Sequence, residues 1–128
     1  KDIEYRSKVF DRISFEPHQQ VIIAANSYIL GQSYEYLRIP LGLKGRVVGK
    51  STLARCGIII NTTPIEPLWE GHLTIEIANT NPSPVCVYTM EGIAQLEFEQ
   101  LDALPETSYA DKSGQYQHQM GVTPARVK

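Results

Sequence analysis

Cysteine is scarce: Cys56 and Cys86 are the only two in the 128 residues. Each sits in an apolar stretch. The pair therefore reads as buried free thiols of a cytosolic protein rather than as a disulfide framework. No C-x-x-C occurs, and His18, His72 and His118 stand isolated, without a ligand partner at helical or hairpin spacing. Zinc deaminases need a His or Cys beside a Glu and a downstream P-C-x-x-C, so no zinc and no protein-bound metal is expected. There is no G-x-S-x-G elbow, and neither cysteine has a His close by in sequence, which removes the usual nucleophile signatures. A basic excess is missing too. The net charge is −2, which argues against a nucleic-acid partner. No apolar run approaches the roughly 18 residues a membrane span needs. The opening residues, Lys1 to Arg6, are polar and alternate in charge, unlike a signal peptide. The expected location is the cytoplasm. No internal repeat is visible.

What is present suits one soluble domain over residues 1–128. Hydrophobic residues make up 42% and charged residues 20%, and the length allows one core. Short β-branched and apolar runs recur: Val21 to Ile23, Tyr28 to Leu30, Arg46 to Val48, Ile58 to Ile60, His72 to Ile77, Val85 to Tyr88 and Ile93 to Phe98. Turn residues separate them, as at Asn26-Ser27, Pro40-Leu41-Gly42, Asn61 to Pro64, Asn79 to Pro84 and Glu91-Gly92. This spacing predicts an all-β sandwich, jelly roll or barrel. Only Ser51 to Cys56 reads as helical, and Gly57 ends it. Residues 105–128 are rich in Gly and Gln and poor in aliphatics. That segment is either a disordered tail or one that orders over a ligand or a neighbouring subunit.

Two stretches invite a chemical reading. Gly49-Lys50-Ser51-Thr52 looks like a P-loop, but Gly45 lies one residue too close and no long helix follows. A glycine, a lysine and two hydroxyls at the start of a helical turn still suit an anion, with Ser51 capping the turn or reaching a ligand. Arg55 falls on the same helical face as Ser51. A capped turn with a surface arginine is the alternative. The strand from His72 to Ala78 alternates: Leu73, Ile75 and Ile77 face one way, His72, Thr74 and Glu76 the other. If the second side meets solvent, Glu76 is a surface carboxylate. If it meets a cleft, Glu76 is a candidate general acid/base. The pattern leaves both open.

Four stretches in order resemble the dCTP deaminases of the deaminase–dUTPase superfamily. They are Gly49-Lys50-Ser51-Thr52-Leu53-Ala54-Arg55-Cys56-Gly57-Ile58-Ile59, then Thr63 to Glu76 with Pro64, Glu66 and Trp69, then Glu91-Gly92-Ile93-Ala94-Gln95-Leu96, then Gly114-Gln115-Tyr116-Gln117-His118-Gln119-Met120-Gly121. The similarity runs from about Val21 onward and is strongest to the bacterial subgroup with K-S-T-x-A-R-C-G. The resemblance implies a distorted jelly-roll, dUTPase-like barrel, a homotrimer with active sites between subunits, and hydrolytic deamination of dCTP to dUTP and ammonia in nucleotide metabolism. It implies that Glu76 moves protons and that Ser51 and Arg55 position the water and the glutamate. It implies that Lys50, Ser51, Thr52, Leu53, Ala54 and Arg55 hold the triphosphate, and that Thr74, Ile75 and Glu76 read the nucleoside, partly through backbone. Gln95, Tyr109 and Gln119 match further contacts to base, sugar or phosphates. Mg²⁺ would arrive on the triphosphate, and dTTP enters as a candidate inhibitor.

The chain departs from the family in three places. The N-terminal helix and a G-Y-D-x-R-like motif are absent. Gln115 stands where many members have Lys. Glu66 replaces an Asp found in many members, including ones that also hydrolyse dUTP, which puts a pyrophosphatase activity in doubt. A dUTPase or a bifunctional deaminase–dUTPase is the competing enzyme reading, and a non-catalytic trimeric nucleotide-binding module the competing reading of another class.

Overall fold

The computed structural model describes residues 13–104, 106 and 116–123. Tyr109, Gly114 and Gln115 lie outside the described residues. Seven strands and one helix follow in chain order: β1 (Gln20–Ile23), β2 (Tyr28–Arg38), β3 (Leu43–Gly49), α1 (Ser51–Arg55), β4 (Ile58–Asn61), β5 (Glu70–Asn79), β6 (Val85–Tyr88) and β7 (Ala94–Gln100). Every predicted run is a strand, and the all-β expectation holds. The largest difference is β2, which continues past Leu30 to Arg38. Its sequence there, Gly31 to Arg38, is too polar to announce a strand, and pairing with β5 overrides propensity. A register shift between Gln32 and Tyr36 accommodates the extra residues.

The strands form three antiparallel sheets in the orders β1-β6, β2-β5-β4 and β3-β7. Period-two alternation sends one side of each strand inward. Val21 and Ile23 of β1, Val87 of β6, Ile58 of β4 and Ile75 and Ile77 of β5 make one buried cluster, which joins the first two sheets. Ile39, Ile65 and Trp69 make a second, against which Leu43 and Val47 of β3 and Leu96 of β7 pack, joining the other pair. Leu73 touches both clusters. β5 is thus the spine of the domain.

Both cysteines are free, as expected, but both are exposed rather than buried. Cys86 falls on the outward phase of β6, between Val85 and the buried Val87, and Cys56 closes α1 at its C-terminus. Gly57 follows with φ +72°, and its N–H donates to Ala54 O at 3.0 Å, the expected helix stop. Ser51 does not cap the helix. Lys50 holds the N-cap position, with no side-chain cap bond, so Ser51 is the first helical residue and its exposed side chain points outward.

Asn79, at the end of β5, is the polar pin of the fold. It is 2% exposed, and its amide donates to Ile23 O, Ala24 O and Ser83 O. Its Oδ1 accepts from the N–H and the side-chain amide of Asn81, which in turn donates to Cys56 O. A buried amide with every position used is tolerated where a half-satisfied one is not. The same turn therefore ties the end of β5 to the end of α1.

Candidate active site

β5 is paired on one side by β2 along most of its length, whereas its other edge is shared. β4 covers it from Asn79 to Glu76, in register Asn61↔Glu76. At the opposite end, Gln119 makes a parallel bridge to Gly71. The edge around Thr74 is covered by neither pairing. The main chain can be followed there. Leu73 N–H turns to Ser33 Oγ on β2, Asn79 N–H to Ser27 O, and His72 N–H turns the other way, to Gln119 O. Alternation therefore turns the main-chain groups of Thr74 toward the gap, as it does those of His72.

A cavity of about 90 Å³ opens at this gap. Its wall is the β4–β5 connection from Thr62 to Glu66, with Trp69, Leu73 and Thr74 from the β5 side and Tyr116 and Gln119 from the C-terminal segment. Two antiparallel bonds hold the connection in place, Gly45 N–H to Ile65 O (2.9 Å) and Ile65 N–H to Gly45 O (2.8 Å). Gly45 eases this approach, since a Cβ there would sit 3.2 Å from the Ile65 side chain and crowd it. The lining is polar where it matters. Thr74 Oγ1 donates to Gln119 Oε1 at 3.0 Å and accepts from Thr123 N–H at 3.0 Å. The Thr62 hydroxyl is buried with no hydrogen-bond partner among the described residues. Such an unmade bond costs about 1–3 kcal/mol.

Glu76 does not line the cavity. It stands one alternation beyond Thr74 on the same face of β5, about 7 Å along the strand, paired with Asn61, which Thr62 follows. It is half-buried, its strand neighbours Ile75 and Ile77 are buried in the core, and no side-chain hydrogen bond or ion pair engages its carboxylate among the described residues. Thr74, Glu76 and Gln119 are thus gathered at one edge. The Ile75 side chain is core, so it offers only its backbone.

The other predicted residues form a separate group. Lys50, Ser51, Thr52, Ala54 and Arg55 are exposed on and before α1, while Leu53 turns inward against the first core cluster. Lys50 Nζ donates to Gly92 O at 2.8 Å. Gln95 is exposed on β7 opposite Val48, one residue from the pair Gly49↔Ala94 that leads into α1. Among the described residues, no hydrogen bond or ion pair joins Ser51 or Arg55 to Glu76. Tyr109 lies outside the described residues. No group of three or more His, Cys, Asp or Glu that could hold a metal is present among them either.

Sequence reasoning passed over most of the cavity wall. Asn61 to Pro64 read only as a turn, and Trp69 carried no role. The available signal was a proline-punctuated connection ending on a tryptophan, whose indole N–H needs a partner when buried. Its partner is Tyr116 O, at 2.8 Å. The C-terminal segment reaches the same cavity from its own chain. Its described part, residues 116–123, packs on β5 of its own chain, and Gln119 is 7% exposed.

Beside the cavity, a cross-strand cluster links β2 and β5. The Tyr36 hydroxyl donates to Glu70 Oε1 at 2.7 Å, and Arg38 Nε lies 3.0 Å from the same oxygen. The tyrosine bond, with Arg38 behind it, holds the Glu70 carboxyl below its ordinary value, and the same bond raises the Tyr36 phenol against the opposing pull of Arg38. Because the folded value is depressed, ionised Glu70 favours the fold above the ordinary carboxylate range. That contribution is lost as pH falls through the depressed value. Glu70→Gln is therefore expected to lower the denaturation midpoint at neutral pH and to match the parent protein in acid. Parallel urea titrations at the two pH values check this, and an equal gap at both would remove the role of the charge.

Comparisons with known proteins agree with this architecture. The family model described as dCTP deaminase-like matches residues 1–101, further toward the N-terminus than the motifs alone suggested. The dCTP deaminase of Nitrosococcus oceani is 53% identical over 118 residues, covering 91% of this chain and 63% of that protein. The dCTP deaminase of Gemmatimonas aurantiaca is 50% identical over 128 residues, covering 94% of this chain and 70% of that protein. The chain thus spans 63–70% of the length of these two relatives. In three dimensions it is similar to the native EIAV dUTPase, with a TM-score of 0.60 at 22% identity, over 71% of this chain and 75% of the other, a likeness of fold. A dUTPase-like all-β fold, a family match over most of the chain and relatives about half identical place it plainly: this chain belongs to the dCTP deaminase-like family.

Proposed function

We propose that the chain catalyses hydrolytic deamination of dCTP, in which water adds at C4 of the cytosine and ammonia leaves to give dUTP. The observation that carries this reading is the gap in the β5 edge. It combines outward-turned main-chain groups at Thr74, a polar cavity, and a carboxylate, Glu76, standing on the same strand face as Thr74. Main-chain donors and acceptors suit the hydrogen-bonding edge of a pyrimidine, and a carboxylate on a rigid strand suits proton transfer. In this reading Glu76 takes a proton from water, delivers one to N3 of the base and assists the departing amine. The deaminase activity of the relatives at about half identity points the same way.

The proposed assembly is supported by what one chain leaves undone. A cavity of about 90 Å³ is well below the roughly 300–1,000 Å³ of pockets that enclose a whole ligand. Among the described residues, no hydrogen bond or ion pair joins the α1 residues meant for the triphosphate to Glu76 of the same chain. Large apolar side chains face outward on strands, with Ile22 67% and Ile59 53% exposed. A homotrimer in which Ser51 and Arg55 of one subunit complete the Glu76 site of the next accounts for all three. Mg²⁺ would be carried by the triphosphate rather than by protein ligands, and dTTP would compete at the same site. Ammonia release from dCTP, with the nucleotide product identified, tests the reading. The expected product is dUTP with stoichiometric ammonia. Formation of a monophosphate and pyrophosphate without ammonia would replace it with a dUTPase-type reaction.

A further inference from the structure

The geometry points to Gln117 as a positioning residue that sets the register of residues 116–123 on β5 and so places the Gln119 amide at the cavity. The Gln117 carboxamide spans the backbone on either side of Trp69. Its Oε1 accepts from Glu70 N–H at 3.1 Å, and its Nε2 donates to Leu68 O at 2.9 Å. One side chain thus imitates a strand bridge, meeting a donor and an acceptor two residues apart. The orientation of the amide is dictated by these partners, since the flipped form would set like against like at both ends. Trp69 completes the clip from the other side, its indole N–H donating to Tyr116 O at 2.8 Å.

From this clip the segment runs on in register. His118 N–H donates to Glu70 O at 2.6 Å, and His72 N–H donates to Gln119 O at 3.0 Å. Gly71 makes room at the crossing. Its φ is +152°, and a Cβ there would lie 2.7 Å from Gln119 N, a separation that real Cβ atoms do not tolerate. Beyond the crossing, the Gln119 side chain meets Thr74 Oγ1, and Thr123 N–H meets the same hydroxyl. Gln117 itself does not line the cavity. It acts through Gln119, and this part of the inference rests on the reading that the cavity receives the pyrimidine nucleotide.

The consequence is a population argument. If only the docked segment presents Gln119, apparent affinity scales with the docked fraction, whereas turnover at saturation does not. Gln117→Glu keeps the shape and the Glu70 bond but loses the donor to Leu68 O and sets oxygen against oxygen. Gln117→Ala loses both bonds. Two hydrogen bonds at about 0.5–1.5 kcal/mol each lower the docking equilibrium at least about fivefold, and we expect KM for dCTP to rise by up to about tenfold in Gln117→Ala, with kcat within about twofold.

The test uses the full chain and its single tryptophan. Trp69 is 5% exposed and is bonded directly to the segment, so its emission reports docking without any substrate. In Gln117→Ala and Gln117→Glu we expect a red-shifted Trp69 emission, stronger acrylamide quenching, faster amide exchange over residues 116–123 and a raised KM, with unchanged far-ultraviolet circular dichroism. Gly71→Ala attacks the same crossing from β5 and is expected to give the same signature. Unaltered Trp69 emission and exchange in both Gln117 variants would overturn the clip. A shifted emission with unaltered KM would overturn its positioning role. If the parent chain turns over no dCTP, the functional reading falls, and the emission and exchange data still decide whether Gln117 holds the segment.

Discussion

Glu76→Gln is expected to lose at least about a hundredfold in dCTP turnover while remaining folded and still binding dCTP. The amide has the shape of the carboxylate but cannot accept a proton from water. In the proposed reaction no protein-bound metal lowers the pKa of that water, so a positioned carboxylate must take the proton. Such groups typically contribute about 10²–10⁴-fold. Folding should survive because the Glu76 side chain engages no side-chain partner among the described residues, and its strand is held by Ile75 and Ile77 in the core and by Asn79 at the end. Glu70→Gln is the better control, since its side chain is occupied by Tyr36 and Arg38 rather than by the cavity. Glu66→Gln is not a clean control, because Glu66 lines the cavity. Ammonia release under saturating dCTP measures the effect. Near-normal turnover by Glu76→Gln would show that the assignment is wrong.

Mixing two inactive variants is expected to restore activity. In the proposed homotrimer, with sites between subunits, Arg55→Ala and Glu76→Gln would each damage every site. In trimers reassembled from equal parts, some sites pair an intact Glu76 with an intact neighbouring Arg55. Random assembly makes about a quarter of the sites whole, so activity should return to about a quarter of the parent value. The geometry behind this is the separation within one chain. Glu76 lies at the β5 edge, Arg55 is exposed at the end of α1, and no bond or ion pair connects them among the described residues. Dissociation, mixing and reassembly followed by the ammonia assay check it, with each variant treated alone as reference. Mixtures no more active than the two variants alone would mean that each site is built within one chain.

The two groups of residues also show how differently local and non-local information can be read. The strands announced themselves because burial on one side imposes period two on β-branched residues, and β5 carries it cleanly from Leu73 to Ile77. The short helix and its stop at Gly57 were readable because a positive φ favours glycine there. β2 beyond Leu30 was not readable, because a polar segment becomes strand only when a partner such as β5 supplies the pairing. The exposure of Cys86 was also hidden. Its neighbours are apolar, but its phase on β6 sends it outward.

For the site, strand alternation and the start of the helical turn marked Glu76 and the Lys50 to Arg55 run, the family resemblance added Thr74 and Gln119, and Glu76 was left suspended between a solvent face and a cleft. Only the tertiary structure decided that this edge of β5 is left open between β4 and residues 116–123, that Thr62 to Glu66 and Trp69 wall it, and that Gln117 grips the backbone around Trp69. The physical reason is range. Alternation, caps and turn chemistry act between residues a few positions apart, so they are written locally. A cavity and the clip beside it depend on contacts such as Gln117 with Leu68, far apart along the chain, and these exist only once the packed cores have fixed where each strand edge ends.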